Sequence, residues 1–441
     1  MSVLPPGPRK PRSLQTLDWM RHPLPLLEEC QRRYGDIFTL RLRRWGEWVL
    51  LCDPEDVKTV FTAGEKVGVA VANPLLRPVL GLRSVMLLEE PAHMTRRRLM
   101  LPSFHGEAVA ADAAMMSEVC QREVEGWPLG EPFELWPRMQ AITQRVVMRA
   151  VFGPDEGAHP PGLDRKLTAL TEWMNTPRNL TKLALLGPDR LARSRGYREA
   201  MGPVEAAVLA EARRRRAADE APPGVVTMLA RARYEDGAPL SERELRDELL
   251  TLLTDGPTST SLAWTFERLM RNPEKLERAR GEVLSGGDGA YVDAVIKETL
   301  RMRPPVPVVV RRLLAPLELG GYRLPRGTTV APCVPLIHNR PEYYPEPERF
   351  LPERFLGVKT PTYAWIPFGG GVRRCLAASY AEMEMKRVLR TVLAMLDLEP
   401  VDERQEGMRK SAISFSPDRS ARVVAARRGV GRPPASALAA A

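Results

Sequence analysis

The chain has 441 residues, 44% hydrophobic and 27% charged, with a formal net charge of +10, a composition of soluble folded proteins rather than of disordered or fibrous ones. No apolar run reaches the roughly eighteen residues of a membrane span, and the N-terminal MSVLPPGPRKPRSLQTL has no apolar signal segment, so no membrane anchor or secretion is expected and the cytoplasm is the expected compartment. Arginines are interleaved with Glu and Asp and no nucleic-acid motif occurs, so the positive charge suits an acidic protein partner, or simply follows from an Arg-, Ala- and Pro-rich composition.

Residues 1–13 are Pro-rich and basic and read as an extended segment, followed by a helix over 14–34. Apolar runs at 37–42 and 48–52 flank Trp45-Gly46 and predict a hairpin; the pattern turns helical after Asp53-Pro54. From about 90 to 300 the period is mostly helical, with strong segments at 108–124, 139–151, 203–216 and 242–270. Short strands are expected at 306–314, 317–319, 322–324 and 328–330, with Gly320-Gly321 as a two-residue turn. Residues 338–375 form a long irregular stretch, of a kind usually kept for function. A helix over 376–396 follows, and the tail 429–441 has a disordered composition. The expected fold is mainly α with a small β region, one domain over 14–428.

Five cysteines (Cys30, Cys52, Cys120, Cys333, Cys375) are odd in number and far apart, which argues against a disulfide framework or a zinc site. Cys375 stands out, in Phe368-Gly-Gly-Gly-Val-Arg-Arg-Cys-Leu-Ala377. No Gly-Lys-Ser/Thr follows the glycines, so phosphate cradling is disfavoured. A cysteine at a helix N-terminus gains N–H groups and the positive helix end, which lower a thiol's pKa and suit a nucleophile or a metal ligand. None of the five histidines is close in sequence to serve as its base. Thiolate ligation of haem iron accounts better for glycines that let the backbone pass close to a flat macrocycle.

The segment resembles the haem-binding loop of the cytochrome P450 monooxygenases, Phe-x-x-Gly-x-Arg-x-Cys-x-Gly, through Phe368, Gly371, Arg373 and Cys375; Ala377 replaces the last glycine. Glu298-Thr-Leu-Arg301 is similar to the family's Glu-x-x-Arg motif, and Phe350-Leu-Pro-Glu-Arg-Phe355 to its Pro-Glu-Arg-Phe segment. By itself Glu-x-x-Arg is a common helical ion pair; in this order it implies a Glu298, Arg301 and Arg354 network locking the loop. The resemblance covers about 5–424. It implies a single large cytochrome P450-type domain with haem b (iron protoporphyrin IX) between a central helix and the Cys-loop helix. It implies Cys375 as axial iron ligand, His93, Arg97, Arg311 and Arg373 as propionate contacts, and Phe368, Gly369 and Ala377 against the haem.

The implied reaction inserts one oxygen atom of O2 into an apolar small molecule, with electrons from a ferredoxin and ferredoxin reductase, in a monomer. A peroxide-driven or isomerase-type haem-thiolate enzyme is the alternative; a haem-binding sensor would need an output domain. Basic residues Arg373, Arg374, Lys386 and Arg387, with Arg96 or Arg98, are expected to form either the docking face for an acidic carrier or an ordinary solvated basic face. Substrate contacts are expected from the regions near 62–90 and 170–200, the central helix, 306–310 and the 411–415 turn. In the central segment LLTLLTDGPTSTSLAWTF, alignment on Gly256 puts Asp255 at the family's small-residue position, Thr258 at its acid and Ser259 at its alcohol. Pro257 is expected to open the helix there. Asp255 stands one turn from Ser259 and could relay protons, anchor a polar substrate group or cap the restarting helix.

Overall fold

The computed structural model describes residues 4–43, 45–68, 76–155, 157, 159–254, 257–359, 361–411 and 414–428. Its centre is the helix Thr258–Met270, in which every residue from Ser259 onward is buried, as only a helix enclosed on all sides can be. Around it pack Leu135–Phe152, Pro273–Leu284, Ala290–Met302 and Ala378–Met395, the last also lying along Glu107–Glu125. The largest apolar core runs through these helices, and two smaller ones cover the faces of the main sheet.

That sheet has five strands, in the order Ile37–Leu42, Gly46–Leu51, Thr329–Pro332, Arg311–Leu313 and Val67–Gly68. Only the Gly46–Leu51 and Thr329–Pro332 pair is parallel. The first two strands form the expected hairpin. A second hairpin closes through Gly320 and Gly321, whose φ of +55° and +79° are those of a tight type I′ turn, with Leu319 opposite Tyr322. Mainly α with small sheets is therefore the architecture.

Three elements differ from the sequence expectation, and proline explains each. The helix expected over 14–34 is two helices, Arg12–Arg21 and Pro23–Tyr34, because the residue before a proline is pushed out of helical conformation; His22 sits at φ −137°, ψ 58°. The long segment 242–270 likewise divides into Glu242–Leu253 and Thr258–Met270. The strand expected over 306–314 is reduced to Arg311–Leu313, preceded by one bridge between Val308 and Cys333; Pro305 and Pro307 have no N–H for a ladder.

Two glycines of the Cys375 loop are also required by protein, a constraint the sequence reading did not include. A Cβ on Gly370 would lie 2.3 Å from the Phe61 ring, and one on Gly371, where φ is +65°, would lie 2.2 Å from the Phe61 carbonyl oxygen. The end of the helix Pro54–Thr62 thus fixes two of the three glycines. Gly369, at φ +68°, has room for a Cβ, with Val309 at 3.8 Å. Gly370→Ala should cost about 1–3 kcal/mol in denaturation experiments, as overpacking does. Combined with Phe61→Leu, its cost should fall below the sum of the two single changes. Gly371→Ala should show no such relief, because its obstacle is backbone.

Candidate cofactor and active site

Cys375 is the one exposed cysteine among five; the other four are buried. Yet burial is the largest influence on its thiol, and it outweighs the N–H of Ala377 and the guanidinium groups of Arg374 and Arg97, so the net shift is upward. The upward direction differs from the expectation of a readily ionised thiol: Ala377, Arg374 and Arg97 favour the thiolate without outweighing burial. The loop is closed by the Cys375 N–H, which donates to the Phe368 carbonyl at 2.9 Å, and by the Gly369 N–H on the Ile366 carbonyl at 3.0 Å. The helix Ala378–Met395 begins with Ala377 in the N-cap position.

Four basic side chains come together near this loop from three distant segments. His93 and Arg97 lie on the helix Ala92–Met100, Arg311 opens a central-sheet strand, and Arg373 belongs to the loop itself. Their mutual influence shows in their titration. Burial and then Arg373 hold His93 below its ordinary value, and the same two causes push Arg311 down to about 10. Arg97 is lowered by burial and by Arg374, while Cys375 pulls it up. The carboxylates present are Glu90, 2.7 Å from His93 Nδ1, with Glu89 and Glu90 at 3.5 and 3.6 Å from Arg373. Among the described residues no carboxylate forms an ion pair with Arg97 or Arg311; Glu89 acts on Arg311 only from farther off. An uncompensated guanidinium pair is costly in such surroundings, so the cluster fits a ligand that brings carboxylates. This donor set, with one thiol beneath it, fits haem and its two propionates.

Behind the loop, Glu298 and Arg301 are wholly buried and joined by two hydrogen bonds of 2.7 and 2.9 Å. Arg354 Nε reaches Glu298 at 3.2 Å, and the Leu351 N–H donates to the same carboxylate oxygen at 2.9 Å. The remaining guanidinium donors hold the irregular chain: Arg301 to the carbonyls of His338 and Pro347, Arg354 to that of Pro345. The three residues singled out by motif therefore form one network. Sequence reasoning missed Glu90, although its i,i+3 spacing from His93 was visible, and His338, whose partners are both backbone and leave no sequence signal.

The central helix does not open at Pro257; it ends and restarts. Thr254 is extended at ψ 119°, and Pro257 takes the N-cap position before Thr258, where a missing N–H costs nothing. Asp255 and Gly256 lie outside the described residues. Ser259 is fully buried in the first turn and Thr258 is partly buried. Of the expected substrate turn, Phe415 is buried: its N–H donates to the Pro305 carbonyl and its carbonyl accepts from the Trp264 indole, which ties the strand Ser414–Pro417 to the central helix.

The charged face also changes. Arg96 is only 2% exposed and belongs to the interior, where it pairs with Glu244 at 2.6 Å and Glu248 at 2.7 Å, so it is no part of a docking surface. Arg373 turns toward the Leu88 carbonyl, and Lys386 is held by Asp293. Arg98 is exposed. Helix Glu242–Leu253 clasps the segment before His93: Asp247 accepts from the Arg83 N–H, Glu248 from the Val85 N–H, and Thr251 donates to Ser84. A Cβ on Gly81 would lie 2.1 Å from Asp247 Oδ1, which fits the chain closely against the helix.

The cytochrome P450 family pattern matches residues 5–420. Putative cytochrome P450 135B1 of Mycobacterium bovis and Mycobacterium tuberculosis is 40% identical over 436 residues, 95% of this chain and 91% of the relative. Putative cytochrome P450 138 of M. tuberculosis is 35% identical, over 96% of this chain and 97% of the relative. The solved retinoic acid-bound cyanobacterial CYP120A1 shares the fold, with a TM-score of 0.84 at 23% identity, over 97% of this chain and 100% of that one. Architecture and relatives define a haem-thiolate monooxygenase, an oxidoreductase that takes electrons from a redox partner to act on a small molecule. The chain belongs to the cytochrome P450 family. Among the described residues no helix is long and apolar enough to cross a membrane.

A pH test follows from Glu248. Burial, and to a smaller degree Asp247, push its carboxyl up to about 7 against the pull of Arg96 and the Val85 N–H. Nearby, Ser241, Tyr234 and Arg96 overcome burial and hold Glu244 down at about 2. A raised carboxyl contributes stability that is full below its unfolded value of 4.5 and lost as pH rises through about 7. Relative to Glu248→Gln, wild type should lose about 1.4 kcal/mol per pH unit across that window in urea denaturation. A gap that instead moves in favour of wild type would contradict the assignment.

Proposed function

We propose that the chain binds haem b with the Cys375 thiolate as axial ligand and hydroxylates or epoxidises an apolar small molecule, of terpenoid, fatty acid, steroid or polyketide type. The observation that carries this reading is the surplus of guanidinium charge, Arg97 and Arg311 above all, around the one exposed cysteine. When bound, the haem supplies reductive activation of dioxygen, one atom entering the substrate and the other leaving as water. His93, Arg97, Arg311 and Arg373 hold the propionates. With Nδ1 against Glu90, His93 donates from Nε2 only as imidazolium, a form that a propionate favours. The Ala377 N–H points charge at the sulfur, Phe368 and Gly369 border the macrocycle, and Glu298, Arg301 and Arg354 hold the loop rigid.

Ser259 passes protons from a buried hydroxyl with Thr258 beside it, and Asp255 either feeds this relay, anchors a polar substrate group or caps the helix, with Gly256 giving room at the site. A ferredoxin with its reductase supplies electrons, in a cytoplasmic monomer. Arg374 and Arg98, which keep some exposure, suit an acidic carrier.

The reduced, carbon-monoxide-treated protein should give the thiolate-type Soret band, and Cys375→Ala should abolish it. Survival of the band in that variant would sink the ligand assignment. Product should form with ferredoxin, its reductase and NAD(P)H; product with peroxide alone would point to the peroxide-driven alternative, which Thr258 at the usual acid position favours. Ser259→Ala should raise electrons consumed per product several-fold, as removal of a proton donor does. Ser259→Thr should keep coupling near wild type.

A further inference from the structure

The motif network behind the Cys375 loop does not reach the loop unaided; a histidine completes the path. His338 ends the short helix Val334–His338 and is 0% exposed. Its Nε2 faces the Ile366 N–H at 2.8 Å, and its Nδ1 faces the Arg301 carbonyl at 3.1 Å. An amide N–H can only donate, so Nε2 carries no proton and Nδ1–H donates to Arg301. One neutral tautomer is thereby selected, and burial, pushing the imidazole down to about 3, keeps it neutral. Arg301 returns the contact, its guanidinium donating to the His338 carbonyl at 3.0 Å.

From this pair a run of backbone bonds leads to the Cys375 amide. Ile366 donates to His338 and accepts from the Gly369 N–H, and the neighbouring Phe368 carbonyl accepts from the Cys375 N–H. The two residues before Ile366 are tied to the same scaffold: Tyr344 donates to the Ala364 carbonyl at 3.0 Å, and the Trp365 indole to the Lys297 carbonyl at 3.3 Å on the helix Ala290–Met302. Tyr344 and Trp365 bear on the outer stretch of this approach, His338 on its last residue before the turn.

We propose that His338 is a positioning residue that sets the register of the Cys375 loop against the Glu298–Arg301 pair, and so governs the N–H donation that reaches the sulfur. The spectral part of this rests on Cys375 being the iron ligand, as proposed above; the backbone part does not. The two ring nitrogens can be removed separately. Asparagine places an amide where Nδ1 stands, and keeps the bond to Arg301 while freeing Ile366. Glutamine places its amide oxygen where Nε2 stands, and keeps the bond to Ile366 while freeing Arg301.

The experiment compares wild type, His338→Asn and His338→Gln as full chains carrying haem. Hydrogen–deuterium exchange of the peptide containing Ile366 should quicken about tenfold in the Asn variant, the effect of losing one buried hydrogen bond, and stay near wild type in the Gln variant. The Asn variant should also lose part of its thiolate-type carbon-monoxide band and shift its reduction potential downward, as weaker hydrogen bonding to a ligating sulfur does. The Gln variant should retain both. Equal exchange in Asn and Gln overturns the proposal, as does faster exchange in Asn with band and potential unchanged. A wild-type protein without a thiolate band, yet with the expected exchange pattern, would refute the ligand reading alone. Nitrogen-15 shifts of wild-type His338 should report Nδ1 protonated and Nε2 bare; the reverse tautomer overturns the proposal without any variant.

Discussion

The carboxylate of Glu298, wholly withdrawn from water, is the constraint on which the rest of the structure depends. A buried charge is tolerated only when its lone pairs are filled, and here two arginines and the Leu351 N–H fill them. Each arginine then has donors to spare, and these satisfy backbone carbonyls of a chain that has no regular structure of its own. One ion pair thereby does for the stretch before Cys375 what a ladder of hydrogen bonds does for a strand.

A second electrostatic feature works in the opposite sense. Around Glu298 positive and negative groups are matched; around Cys375 they are not. Two guanidinium groups come from a helix and a sheet strand; among the described residues no carboxylate forms an ion pair with either, and only Glu89 bears on Arg311 from farther off. The loop between these two regions is confined by steric fit as well: Phe61 leaves no space for a Cβ on Gly370 or Gly371. Rigidity behind the thiol and unsatisfied charge in front of it are complementary, since a ligand gains most from groups that are already fixed.

The interrupted central helix shows how one residue type can be read correctly and placed wrongly. Proline at 257 does disturb the helix, but it lies at the start of the second segment, the position that suits a ring without an N–H. The same holds for His22-Pro23, where a boundary was visible in the sequence and passed over. Arg96 and Arg97 are adjacent in the chain, yet one is buried on Glu244 and Glu248 and the other lies near Cys375. Their position on the helix decides this, not their chemistry.

The sequence by itself determined the mainly α architecture, the two hairpins, and the residues of the Cys375 loop and of the Glu298, Arg301 and Arg354 group, because periodicity and motif spacing are local and survive in one dimension. Only the tertiary structure decided that Glu90 and His338 belong to the site's surroundings, that Phe61 confines Gly370 and Gly371, and that burial pushes the Cys375 thiol upward. These depend on burial and on contacts with backbone atoms far along the chain. A backbone carbonyl or N–H is the same at every residue, so a side chain whose partners are backbone, as those of His338 are, leaves nothing in the sequence to mark it.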